Sequence, residues 1–574
     1  MMMVAWPPVA RRVVLAILLG PAGCALAQPA DETAAKGAQR EAYLPSEPLS
    51  EEVLYGLLLG EIAAQRGDAE LAAKTYLDLA KRTRDPRIAR RAVEMAEFAR
   101  LPATALEAAR IWHETDPDSA AALQMVTALL VSARRIDEAE PYLEKLLASK
   151  GTNAENGFMQ LNRLLAANPD KQANLRVVRK LAASYPDMPQ AHFAVSQAAL
   201  IAGDETLALA EIRRASQLKP DWDIAALYEA QILQKKSPDD AARRLAEYLD
   251  KYPDKGDVRL NYARLLVADK RYADARAQFE RLLADNPNNG DVVYAVGLLA
   301  FQLRDYATAE SSMQRLLTLG YRDADGVRYL LGQIAEEQRQ WTKAVQWYEK
   351  VGRGEHYLPA RIRAAQAIAK QGKMKEARAY LHAVKVNGAE AKIQLITAEA
   401  QILRDAGMAD AAFKVLGKAL QAQPDQPELL YDMALTADKL NRFDILEANL
   451  RKLIKVKPDY AHAYNALGYS LADRNVRLPE ARKLIEKALQ LAPDDSFIID
   501  SMGWVLYRQG DLKGAATYLR RAYAGRADAE IGAHLGEVLW VEGEHDEARR
   551  IWDEALKSHP DNDTLKKTVD RFER

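Results

Sequence analysis

The residues able to do chemistry are few, and their spacing does not serve it. Eight histidines run from His113 to His559 with no H-E-x-x-H or other metal-ligand spacing among them. The most metal-like stretch, "GEHDEAR" around His545, falls in a turn between two helical patterns, where such groups are ordinarily solvated. "GYSLA" (468–472) misses the second glycine of a nucleophile elbow and lies inside a helical pattern rather than after a strand. Cys24 is the only cysteine, so the chain beyond it holds no disulfide, thiolate metal site or cysteine nucleophile. Acid pairs on helical faces read as solubilising charge. The sequence therefore reads as non-enzymatic, with no cofactor and no metal.

What stands out instead is aromatic. In "DSMGWVLYRQGDLKGAATYLRRA" (500–522), Trp504 and Tyr507 lie one turn apart on a helical pattern. Rings at that spacing are either packing fillers or the surface that grips a partner. The elements around them decide which.

A chain of 574 residues is too long for one compact core, so several domains or a repeat array is expected. Lys plus Arg number 80 against 81 Asp plus Glu, with the signs interspersed, and no basic stripe points to nucleic acid. Residues 1–27 differ from the rest. Arg11 and Arg12 precede "VVLAILLG" and then the small-residue run "AGCALA", which is the order of an export signal. Its apolar stretch is too short to span a bilayer. Ala25-Leu26-Ala27 fits cleavage before Gln28, and we expect the protein in the periplasm. The alternative is a lipobox ending at Cys24, with Pro21 where an aliphatic residue is usual; Cys24 would then be lipidated and the chain anchored in the outer membrane. Residues 28–50 read as a flexible tether. Ser50 before Glu51 and Glu52 is an N-cap with two acids on the helix dipole.

From there an alanine recurs in the second helical block of each unit, from Ala72 to Ala548, with Asn174 and Leu446 in the same register. Every interval is 33, 34 or 35 residues. A glycine column (Gly60, Gly297, Gly332, Gly503, Gly536) stands twelve residues earlier, and a proline column including Pro220, Pro253 and Pro458 twelve residues later. Small residues are needed where helix backbones meet, and proline ends the second helix. The three columns resemble the tetratricopeptide repeat (TPR) family over nearly the whole chain after the tether. The resemblance implies an all-α fold, a right-handed TPR superhelix or α-solenoid of about fifteen helix-turn-helix repeats. We expect an N-terminal array over 51–186 ending in an irregular repeat (151–186), a C-terminal array over 187–562, and a capping helix over 563–574.

Ile499, Met502, Gly503 and Leu506 form the core stripe by their i, i+3, i+4, i+7 spacing. The family's groove positions then fall on Phe497, Asp500, Trp504, Tyr507 and Arg508. The preceding repeat adds His462, Asn465, Tyr469 and Asp473, and the following one Glu537 and Trp540. Such a trough suits an apolar and basic peptide. Tyr294, Phe301 and Tyr329 hold groove positions in the middle repeats and read there as packing. "AYNALGYSLADR" (463–474), "IIDSMGWVLYRQG" (498–510) and "AHLGEVLW" (533–540) further resemble a group of bacterial envelope TPR lipoproteins, the LbcA-like adaptors of the carboxyl-terminal processing protease CtpA. That resemblance implies a periplasmic protease as partner and envelope proteins such as peptidoglycan hydrolases as its substrates. An assembly scaffold for an envelope machine, in polysaccharide export or outer-membrane protein insertion, is the alternative.

Overall fold

The computed structural model describes residues 49–148 and 154–573. The export-like segment, Cys24 and nearly all of the tether lie outside them. The described residues form 31 α-helices and no strand, arranged as fifteen helix-turn-helix pairs followed by one closing helix, Asp563–Glu573. None of these helices is long and apolar enough to cross a membrane.

The helix ends follow from local chemistry. Ser50 Oγ accepts from the Val53 amide at 3.3 Å, and Asp204 and Asp511 accept from amides three residues on at 2.9 Å. Each such cap satisfies a donor that the first helical turn leaves free. Second helices such as Glu205–Leu218, Pro238–Lys251 and Phe443–Val456 stop two residues before Pro220, Pro253 and Pro458. Between the two helices of most pairs the chain passes through a left-handed residue. Gly543 takes that role at φ 98° without strain, whereas Arg339 takes it at φ 56°.

The repeated small residues are where the pairs close. The column alanines from Ala72 to Ala548 are each at most 1% exposed. Asn174, the polar exception, is also buried, because Asn168 donates to its Oδ1 at 2.8 Å and its own Nδ2 donates to the Leu165 carbonyl at 3.0 Å. A Cβ placed on Gly60 would meet the Tyr76 ring at 3.0 Å, and one on Gly332 or Gly536 would run into Tyr348 or Trp552. In each case the ring stands sixteen residues after the glycine. Removing one methyl from the first helix thus admits a whole aromatic ring from the second, and Tyr348 and Trp552 are among the largest fully buried side chains.

The described chain packs as two units, one ending at Arg304 and one beginning at Asp305. In the first, a continuous apolar core extends from Tyr76 to Ile232 and passes residue 186 without a break. In the second, a core from Leu430 to Leu565 takes in Trp504, Trp552 and the closing helix. That second core carries Tyr469, Phe497, Trp504, Tyr507 and Trp540.

Candidate protein-binding site

Three successive first helices carry these residues: Ala461–Asp473, Ser496–Arg508 and Ala529–Glu542. They pack side by side, each against its own second helix, and Asp563–Glu573 closes on the last of them. Gly468, Gly503 and Gly536 allow the close approach; a Cβ on Gly503 would lie 2.5 Å from Leu519 Cγ, and one on Gly468 2.6 Å from Ile485 Cγ1.

Trp504 fills the seam between the second and third of these helices. It is 6% exposed, and its ring stacks on His534 with centroids 4.2 Å apart and planes at 23°. The Tyr507 ring lies 5.2 Å from it, and Arg508 reaches the ring at 5.9 Å. The Trp504 indole nitrogen has no partner. Of the two roles open to Trp504, the geometry gives it the packing one.

His534 is held by Asp500, whose two carboxylate oxygens both lie 3.0 Å from Nδ1. Burial works against the imidazolium, yet the Asp500 charge and hydrogen bond, helped by Glu530 and Glu537, outweigh it and hold the His534 pKa above the ordinary histidine value. A second chain of polar contacts runs beside it. The Tyr507 hydroxyl donates to Glu537 Oε1 at 3.2 Å, and Arg571, from the closing helix, pairs with the other oxygen of the same carboxylate. Burial and the Glu537 charge push the Tyr507 hydroxyl upward.

The accessible part of the surface is Tyr507, Arg508 and Trp540, all half-buried, with Asp473 exposed at the preceding repeat and Phe497 half-buried at the first turn. Trp540 rests on Trp552 at 5.6 Å and meets His545 edge-on at 4.4 Å, with Arg549 5.0 Å from its ring. Phe497 carries Arg526 at 4.8 Å. Tyr469 is half-buried and 6.1 Å from His534. His462 is exposed and Asn465 is buried. The resulting face presents aromatic edges flanked by guanidinium groups. Asp473 adds an exposed carboxylate, while Asp500 and Glu537 are buried in internal pairs. In the middle repeats Tyr294 is buried, and the Tyr329 hydroxyl accepts from Arg363 Nε at 3.1 Å.

Sequence reasoning missed His534 and Arg571. His534 stands one residue past a groove position, and Arg571 lies on what reads as a polar capping face. A signal was present in both cases: each is 34 residues from its acidic partner, one repeat period away. No group of three or more His, Cys, Asp or Glu side chains that could hold a metal ion occurs among the described residues.

Family comparisons agree with this architecture. Tetratricopeptide repeat models match residues 233–299, 294–357, 431–496 and 501–563. A TPR repeat-containing protein of Pseudomonas aeruginosa, PA4667, is 41% identical over 493 residues, covering 85% of this chain and 82% of its own. Among solved structures, the TPR protein TTC0263 of Thermus thermophilus matches 31% of the chain and 97% of its own at 25% identity and TM-score 0.29. The Naa15/Naa10 complex bound to HypK matches 70% of the chain and 68% of its own at 15% identity and TM-score 0.39. With its repeat register, its fifteen helix pairs and a 41% identical relative covered over most of its length, the chain belongs to the tetratricopeptide repeat family.

Proposed function

We propose that this protein is a non-catalytic protein-binding scaffold of the bacterial cell envelope, and that it brings substrates to a periplasmic carboxyl-terminal processing protease. TPR arrays act in general by binding protein partners, and nothing in the sequence points to an enzymatic activity. The observation that carries the reading here is the half-exposed row Tyr507, Arg508 and Trp540 with Arg549. It rests on a rigid base, because Trp504, Trp552 and two cross-helix ion pairs fix it from beneath. Aromatic and arginine side chains held in place are the side chains that most often dominate binding energy. The envelope assignment rests on the export-like residues 1–27, and the protease on the resemblance of 463–474, 498–510 and 533–540. Peptidoglycan hydrolases are the expected cargo.

Two measurements test this. Mass spectrometry of the N-terminus isolated from cells should show a chain starting at Gln28; a diacylglyceryl group on Cys24 would instead place it on the outer membrane. Purified protein added to the cognate processing protease should accelerate degradation of an envelope hydrolase. If the protease neither binds the chain nor works faster in its presence, the adaptor reading fails.

A further inference from the structure

The two ends of the array are finished differently. At the C-terminal end Asp563–Glu573 buries Leu565 completely and packs Val569 and Phe572 on the preceding repeat. That is the capping a helical array needs at its ends. At the other end the first helix, Glu51–Gln65, has its own exposed stripe, and that stripe is apolar. Leu54 is 44% exposed, Tyr55 68%, Leu58 54% and Ile62 47%. Four large apolar side chains on one turn-to-turn face are not the scattered singles of an ordinary surface.

Leu54 and Ile62 stand at equal distances from Leu58 along this face. Glu51 and Glu52 flank the stripe at its start, and Gln65 and Arg66 at its end, all exposed. Leu58 is the midpoint of the fifteen-residue helix. If a second identical helix is laid antiparallel across the first with the two-fold axis at Leu58, Leu58 meets Leu58, Leu54 and Ile62 exchange places, Tyr55 falls level with Glu61 beside Ile62, and Glu51 comes level with Gln65 next to Arg66. A surface whose apolar centre and opposite charges map onto themselves under a two-fold rotation is self-complementary.

We propose that the first helix is a homodimer contact in which Glu51–Gln65 pairs antiparallel with the same helix of a second copy about Leu58. A single helix pair about 22 Å long buries a modest area, so the dimer is weak and depends on concentration.

The experiment uses the exported full-length chain. Sedimentation over the micromolar range should show a monomer–dimer equilibrium. Leu58→Glu places two carboxylates on the axis and should abolish the dimer, with the circular dichroism unchanged because the side chain is exposed. Glu51→Lys with Glu52→Lys should weaken it several-fold, and adding Arg66→Glu should restore it. In a Cys24→Ser background Leu58→Cys is the only thiol, and mild oxidation should link two copies through it, whereas the exposed control Arg100→Cys should not cross-link. A chain that stays monomeric throughout, a Leu58→Cys thiol no more readily cross-linked than the control, or a thiol shielded from reagents in the monomer would overturn the proposal.

Discussion

His534 Nδ1 lies 3.0 Å from both carboxylate oxygens of Asp500, joining two neighbouring first helices beneath the stacked ring of Trp504. The pair raises the His534 pKa, so its contribution to stability is complete below the ordinary histidine value of about 6.5 and is lost as pH rises through the folded-state value. The C-terminal unit should therefore unfold at lower denaturant at about pH 9 than at about pH 6. His534→Ala should remove most of that difference. A wild-type pH profile that matches the variant's would show that the pair does not act this way.

Trp504 and Arg508 should separate packing from binding. Trp504→Ala empties a buried site and should cost roughly 3–5 kcal/mol of local stability. Arg508 is half-buried and lies over the Trp504 ring, so Arg508→Ala should leave the unfolding free energy within about 0.5 kcal/mol of the wild type. It should nonetheless weaken partner binding, read by titration calorimetry. Equal effects of the two changes on stability would contradict this division.

Gly536→Ala should destabilise by about 1–3 kcal/mol, since its Cβ would run into the Trp552 indole. Combining it with Trp552→Leu, which vacates the space, should cost less than the sum of the two single changes. Additive losses in chemical denaturation would mean that the glycine serves some other need.

Repeat arrays are held by nearest-neighbour interfaces, so unfolding should not be all-or-none. Calorimetric enthalpy should exceed the van't Hoff value. Hydrogen exchange should distinguish the unit ending at 304 from that beginning at 305. A single coincident transition by every probe would exclude this behaviour.

The fold was legible because its demands recur. Ala344 or Ala515 alone says little, but the same small residue every 33 to 35 positions reports a backbone contact repeated along the chain. The first cap was legible for a local reason, since Ser50 precedes two acids and its hydroxyl accepts from the Val53 amide. The site was less so. Register could place Trp504 on the groove side of its helix, but only the position of His534 in the next repeat decides that its ring is covered. Arg571 looked like a solvated cap residue because sequence does not reveal that Glu537 reaches across to meet it. Lateral contacts between repeats depend on side-chain direction, which periodicity does not encode.

The small residues that close each helix pair could be exchanged between repeats with little loss. The lateral pairs could not. Asp500 has its histidine only in the following repeat, and Glu537 has its arginine only in the closing helix. An excision of one whole period near this end would keep the backbone register yet strand a buried carboxylate. The C-terminal repeats are thus keyed to one order.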